Sequence, residues 1–188
     1  MFKRVRLVSK LCLLAVSLYL LSGCSSMSIS EYENSQPKLN LFEFFSGKTY
    51  AWGQFQDRSG KVLRRFTVEI TGTLNQQENP QLVLDERFVY DDGEHQQRIW
   101  KITQTAENHF IGLADDVIGE AVGRSAGNAL NWRYVLDLPY QDSTIHVSFD
   151  DWMFLQTNKT MINRAKVSKW GFTVGEVTLF FSKQPIDE

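Results

Sequence analysis

"NALNWRYVLDL", residues 128–138, is the stretch that decides the fold, because one face of it is regularly apolar and the other carries its charged side chains. From Leu130 onward the even positions are apolar or aromatic: Leu130, Trp132, Tyr134, Leu136 and Leu138. The odd positions include Asn131, Arg133 and Asp137. Side chains of a β-strand point alternately to the two faces of its sheet. The stretch therefore predicts a strand with one buried and one solvated face.

Similar alternation continues from Lys48 onward, in segments separated by turn sequences such as DRSG (57–60) and DDGE (91–94). It predicts about nine or ten strands in an antiparallel meander, with no helix longer than a turn or two. Closing so many strands into a barrel removes exposed sheet edges. The predicted fold is therefore all-β, an antiparallel up-and-down, lipocalin/calycin-like barrel. We place this single domain at residues 39–188, with the apolar LNLFEFFSG (39–47) as a short helix or turn that plugs one end.

The N-terminal residues predict export and membrane attachment. Residues 1–23 combine a basic stretch, an apolar run and small residues, which is typical of a secretory signal peptide. The LSGC sequence ending at Cys24 resembles a bacterial lipobox, in which the cysteine thiol receives diacylglycerol before the signal is cut. The resemblance implies a lipid anchor on Cys24, and Ser25 in place of Asp implies the outer membrane, facing the periplasm. Residues 24–38 are predicted to be the lipidated cysteine and a flexible tether.

Composition excludes several classes of protein. The chain has 20 basic and 22 acidic residues, and the signal carries four of the basic ones and no acid. The mature chain is therefore acidic and a poor candidate for binding nucleic acid. Charges recur along the predicted strands, as at Arg64 and Glu69, where a transmembrane barrel would need an apolar band. Cys12 leaves with the signal and Cys24 is the lipidation site, so no disulfide is expected.

The stretch GEAVGRSAGNALNW (119–132) has a glycine at every fourth position at its start. No Lys-Ser or Lys-Thr follows, so it is not a phosphate loop, and its charges interrupt a GxxxG membrane helix. Its odd positions from Gly119 to Ala129 are all small, and the space beside Gly123 is predicted to hold either an aromatic ring or a ligand. Glu120 and Arg124 share even positions with Leu130 and Trp132. We expect them to point inward and hold a ligand's polar end, unless a bend sends them to solvent.

The sequence FDDWMF (149–154) places one aspartate among apolar side chains. Asp151 shares its parity with Phe149 and Met153, so it is expected to point into the core. Arg133 and Arg164 are its predicted ion-pair partners, and the alternatives are a structural pair or an acid that binds a ligand.

Motifs for catalysis are absent from the sequence. No serine lies in GxSxG, the histidines lack metal-ligand spacing, and no free cysteine is left as a nucleophile. We predict no metal and no cofactor. A further hypothesis is a lipid-processing enzyme that uses Asp150, Asp151 and Glu120.

The chain also resembles a family of bacterial outer-membrane lipoproteins of unknown function with a lipocalin-like barrel. Four segments carry the resemblance: FFSGKTYAWGQFQDRSGKV, DDVIGEAVGRSAGNALNWRY, FDDWMF and INRAKVSKWGFTVGEVTLFF. We therefore expect a membrane-anchored periplasmic lipoprotein that binds a lipid or another small apolar ligand. The candidate ligand-binding residues are Glu120, Arg124, Asp151, Gly123 and Trp132. The alternative is a solid-cored barrel that binds a protein partner in the envelope.

Overall fold

A computed structural model describes residues 27–75, 79–140 and 143–185, except for the side chain of Tyr140. Ten strands form a closed antiparallel barrel in which every strand pairs with its neighbours in sequence, and β1 pairs with β10 to close it. The strands are β1 (Gly47–Asp57), β2 (Val62–Asn75), β3 (Gln81–Tyr90), β4 (His95–Ala106), β5 (His109–Leu113), β6 (Ala121–Ala126), β7 (Ala129–Tyr140), β8 (Ser143–Thr157), β9 (Thr160–Lys169) and β10 (Phe172–Ser182). The predicted all-β up-and-down barrel is confirmed. The predicted signal peptide and Cys24 lie outside the described residues.

The closed sheet buries its own apolar face, so the fold needs no second layer of helices or strands to cover it. Along β7 the even positions face the barrel interior, and Leu130, Trp132 and Leu136 are each less than 5% exposed. The alternation thus buries one face of each strand inside the barrel, while the pairing of β1 with β10 closes the sheet, so that each of the ten described strands has a partner on both sides.

A short helix, α1 (Leu41–Phe45), closes one end of the barrel. The side chain of Asn40 caps it by accepting a hydrogen bond from the backbone N–H of Glu43 at 3.2 Å. Three of its five side chains, Leu41, Phe44 and Phe45, are at most 5% exposed. This agrees with the predicted plug at residues 39–47.

Lys183 holds the plug from the other end of the chain. Its Nζ donates to the carbonyl oxygens of Phe44 and Ser46 at 2.8 Å and to Oγ1 of Thr49 at 3.0 Å. These carbonyls lie at the C-terminus of α1, where a cation is favourably placed.

The described part of the predicted tether, residues 27–38, lies against the barrel wall. A 3₁₀ helix (Ile29–Tyr32) places the Tyr32 ring 5.2 Å from the ring of Phe154 and 5.9 Å from that of Trp152. Trp152 is consequently 5% exposed although it points outward. The prediction of a flexible tether is therefore wrong for these residues, because an outward aromatic pair on β8 gives the segment an apolar surface to cover. None of the described helices is long and apolar enough to cross a bilayer.

The opposite end of the barrel is open. There the side chain of Glu94 lines the interior and is also 60% exposed, so the interior reaches solvent. The β9–β10 hairpin stands at this rim, and its tip carries Trp170, 85% exposed, and Phe172, 74% exposed. We call this end the mouth and the α1 end the base.

Candidate functional site

The barrel encloses a cavity of about 850 Å³ that runs from the base to the mouth. Ligand sites for small molecules have volumes of this order. Most of the wall is aliphatic or aromatic, including Val68, Ile70, Leu84, Trp100, Leu136 and Val147. The interior is therefore hollow and mainly apolar.

A set of polar side chains interrupts the apolar wall, and we call it the polar belt. Its members lie on five strands, β3, β4, β7, β8 and β9, and all face the cavity: Glu86, Arg98, Tyr134, Asp151 and Asn163. Each occupies an inward position of its strand, and all except Arg98, which has Gln96 on one side, lie between apolar side chains that face the same way. Burial of so many polar groups is costly unless they are paired, so their partners decide what the site can do.

Arg98 is paired with Asp116, which lies in the loop between β5 and β6. Its Nε donates to the two carboxylate oxygens at 3.1 and 2.9 Å, and its Nη2 donates to Oδ2 at 2.7 Å. Although burial acts to lower the pKa of Arg98, these hydrogen bonds and the nearby Glu86 raise it above its ordinary value. The guanidinium is therefore a fixed cation whose charge is already balanced by one carboxylate.

Glu86 lies directly opposite Arg98 in the β3–β4 ladder. Its carboxyl is shielded from bulk water by the barrel wall, and this burial raises its pKa from an ordinary 4.5 to about 7. Arg98 and a hydrogen bond from Trp100 oppose that rise, whereas Asp116 and Asp151 add to it. Near neutral pH the carboxyl is thus divided between its neutral and ionised forms.

Asp151 completes the belt from β8 and is 6% exposed. It accepts hydrogen bonds from the amide of Asn163 and, at 3.3 Å, from the hydroxyl of Tyr134. Burial raises its pKa from an ordinary 3.8 to about 6, against the lowering by these two donors. Burial likewise raises the pKa of Tyr134 well above its ordinary value, so this hydroxyl stays a donor. The expected inward orientation of Asp151 is what the structure shows.

The two arginines predicted to pair with Asp151 lie outside the barrel. Arg133 donates from Nε to Asp150 at 3.0 Å, and Arg164 pairs with Glu176 at 2.7 Å. Both arginine side chains are at least 60% exposed. The predicted pairing was wrong because Arg133 and Arg164 have outward parity, opposite to that of Asp151.

Glu120 and Arg124 also lie on the outer surface, which contradicts the prediction that they point inward. The reason is the tight turn between β6 and β7, which pairs Ala126 with Ala129 and Gly123 with Trp132. A two-residue turn matches odd positions of one strand with even positions of the next, so the inward parity changes across it. The small odd positions of β6 face inward instead.

Trp132 fills the space beside Gly123. A Cβ atom placed on Gly123 would lie 2.2 Å from Cε3 of Trp132, and one on Gly112 of β5 would lie 2.4 Å from Cζ2 of the same ring. The sequence predicted either an aromatic ring or a ligand beside Gly123, and the structure shows the aromatic ring of Trp132. Trp132 itself lines the cavity, and its ring packs edge-on against Trp100 at 5.8 Å.

We expect Gly123→Ala to destabilise the barrel by about 1–3 kcal/mol, since the methyl group must push the rigid indole of Trp132 off its position. Thermal unfolding measures this, and Val122→Ala, on the exposed outer face of the same strand, serves as the matched control. The loss should shrink in the Trp132→Phe background, because the smaller ring leaves room. Equal losses in both backgrounds would contradict a direct contact as its cause.

Four of the five belt residues were not named as site residues from the sequence: Glu86, Arg98, Tyr134 and Asn163. Glu86 falls between Leu84 and Phe88 in an otherwise apolar face, and Arg98 shares its parity with Trp100. These interruptions were the available signal, since a charge at an inward position needs a partner or a ligand.

The residues considered for catalysis are not brought together. Of Asp150, Asp151 and Glu120, only Asp151 faces the cavity. Within the described ranges, no cluster of His, Cys, Asp and Glu has the arrangement of a metal site.

The fold is similar to those of two proteins of known structure. The barrel is similar to a protein of unknown function from the DUF3598 family of Nostoc punctiforme, with a TM-score of 0.57 and 12% identity over 79% of this chain. This chain spans about half, 51%, of that protein's length. It is also similar to the S-type phycobiliprotein lyase CPES of Guillardia theta, with a TM-score of 0.57 and 9% identity over 86% of this chain and 95% of the lyase. These likenesses establish a lipocalin-like fold.

At the level of sequence, no curated protein matches the chain. A family described as protein of unknown function (DUF3833) matches residues 18–183, which is most of its length. The chain therefore belongs to the DUF3833 family.

Proposed function

We propose that this protein is a membrane-anchored, periplasm-facing lipoprotein whose barrel binds a lipid or another small apolar molecule. The observation that carries the binding part of the proposal is the cavity of about 850 Å³, with an apolar wall interrupted by the polar belt. Such a combination of apolar lining and few polar groups is typical of ligand sites. The signal-like N-terminus and the lipobox-like sequence at Cys24 support the anchoring part.

The hollow interior favours ligand binding over the alternative of a solid-cored interaction module. A barrel that serves only as a scaffold gains stability from filling its interior, because lining atoms without neighbours lose dispersion contacts. Here the inward side chains leave room, and the cavity reaches solvent at the mouth. An apolar molecule of moderate size could therefore enter without unfolding the barrel.

Native mass spectrometry of the full chain carrying Cys24→Ser, secreted into a bacterial periplasm, tests the binding. We expect an additional mass that is released on denaturation, and we expect the purified protein to take up the neutral apolar dye N-phenyl-1-naphthylamine. Ala165→Phe, which projects a ring into the cavity, should weaken dye uptake at least tenfold while unfolding stays cooperative. Lys166→Ala, on the exposed side of the same strand, is the matched control.

A clean apo mass together with no dye uptake would refute ligand binding. The anchor is tested separately with the wild-type chain: its intact mass should include a diacylglyceryl group, and the Cys24→Ser chain should leave the membrane fraction. A wild-type chain without added lipid would refute the anchor and leave the cavity proposal standing.

A further inference from the structure

The arginine side chains that line the cavity already have carboxylate partners. Arg98 is held by Asp116 through three hydrogen bonds of 2.7–3.1 Å. Arg64, at the mouth, contacts Asp92 at 2.8 Å and Glu94 at 2.6 Å. Within the described residues that line the cavity, neither cation is left to balance an added negative charge.

The carboxyls of Glu86 and Asp151 are in excess of these pairs. Both face the cavity, from β3 and β8. The other polar groups facing them are the Arg98–Asp116 pair from β4 and the β5–β6 loop, the indole N–H of Trp100 from β4, the hydroxyl of Tyr134 from β7 and the amide of Asn163 from β9. When Glu86 and Asp151 are ionised, the part of the cavity that they line therefore carries a net negative charge.

This surplus determines which polar end a ligand can bring into the cavity. An ionised carboxyl only accepts hydrogen bonds, and its two oxygens offer about four sites. Asp151 receives donors from Asn163 and Tyr134 and Glu86 from Trp100, so acceptor capacity remains on both. A donor from the ligand would fill these sites, whereas a ligand carboxylate or phosphate would add a like charge in a poorly solvated place.

We propose that the cavity selects an amphipathic ligand whose polar end is a hydrogen-bond donor, a hydroxyl or a protonated amine, and rejects one with an anionic head. This inference rests on the proposed ligand-binding function. The apolar body of the ligand would contact the wall formed by residues such as Val68 and Leu84, and its donor would lie against Glu86 and Asp151.

The test compares three ligands with the same ten-carbon chain, decylamine, decanol and decanoate, at pH 8 in competition with N-phenyl-1-naphthylamine. We expect the dissociation constant of decylamine or decanol, measured by displacement of the dye, to be at least tenfold lower than that of decanoate. The two donors are distinguished by pH. At pH 5.5 the carboxyls are protonated and no longer balance the charge of decylamine, so binding of decylamine should weaken more than binding of decanol. In the double variant Glu86→Gln, Asp151→Asn, the dissociation constants of decylamine and decanoate should differ by less than threefold.

Asp85→Asn is the matched control, because Asp85 precedes Glu86 on β3 and bonds Gln97 and Arg87 outside the barrel. It should leave the preference unchanged. Decanoate binding as tightly as the other two ligands, or a preference that survives the double variant, would overturn the inference while dye uptake keeps the proposed function intact. Failure of the dye itself to bind would overturn both.

Discussion

Arg98→Met is expected to lower the free energy of unfolding by about 3 kcal/mol, because it leaves the carboxylate of Asp116 without its partner in a largely buried place. The Arg98 and Asp116 side chains are 13% and 25% exposed, and methionine keeps most of the aliphatic packing of the arginine stem. For a domain of this size the loss corresponds to a fall in Tm of roughly 6 to 12 °C. Thermal unfolding at two pH values measures it.

The loss should be greater at pH 8 than at pH 5. Glu86 and Asp151 have folded-state pKa values of about 7 and about 6, above their ordinary values of 4.5 and 3.8. A carboxyl whose pKa is raised by folding binds a proton more tightly in the folded state. Its effect therefore makes stability fall as pH rises, between about 4.5 and 7 for Glu86 and between about 3.8 and 6 for Asp151. Removing the Arg98 cation raises both pKa values further and extends the fall toward pH 8.

Two further variants test whether the pH dependence comes from the buried carboxyls. Arg65→Met removes an exposed pair with Asp91 at 3.3 Å and should cost no more than about 1 kcal/mol, independent of pH. Glu86→Gln should flatten the pH dependence and raise stability at pH 8, since it removes a carboxyl that ionises there without enough compensation. Equal losses for Arg98→Met at both pH values would show that the arginine does not stabilise the ionised carboxyls.

The barrel was predictable because its signal is local. Alternation such as that of residues 128–138 is set by neighbouring side chains, and closure follows from the number of strands. Orientation within the barrel was less accessible, because it depends on turns. The two-residue turn after Ala126 reverses the parity, so Glu120 and Arg124 point outward although they share even positions with Trp132. Inward parity is therefore a property of each strand and changes wherever a two-residue turn separates two strands.

The partners of the belt could not be read from the sequence at all. Asp116 reaches Arg98 from a loop, and Asn163 reaches Asp151 across the β8–β9 hairpin, whose register decides which side chains meet. Such contacts depend on geometry over many residues. What the sequence did contain was each interruption of an apolar face, at Glu86, Arg98 and Asp151. Polar positions that break an otherwise consistent pattern concentrate at functional sites, which is why the belt is the centre of our proposals.

Gly72→Ala is expected to destabilise the protein by on the order of 3–5 kcal/mol by displacing the plug at the base. A Cβ atom on Gly72 would lie 1.7 Å from the carbonyl oxygen of Phe45, a backbone atom that no side-chain rotation can move away. The backbone of Gly72 has no positive φ, so alanine itself is tolerated there and the collision is the only new cost. α1 must shift, and burial of Leu41, Phe44 and Phe45 is lost in part.

Thermal unfolding and amide hydrogen exchange together distinguish this local cause from general damage. Exchange should rise first in residues 41–46, because their protection depends on the seated plug, while the β7–β8 ladder on the other side of the barrel keeps its protection. Thr73→Ala, the exposed neighbour of Gly72 on β2, is the control and should change stability by less than about 0.5 kcal/mol. If Gly72→Ala behaved like this control, α1 would not be seated on β2 as described. If it lost stability without faster exchange in α1, the collision would be relieved within the sheet, and the base of the cavity would stay closed.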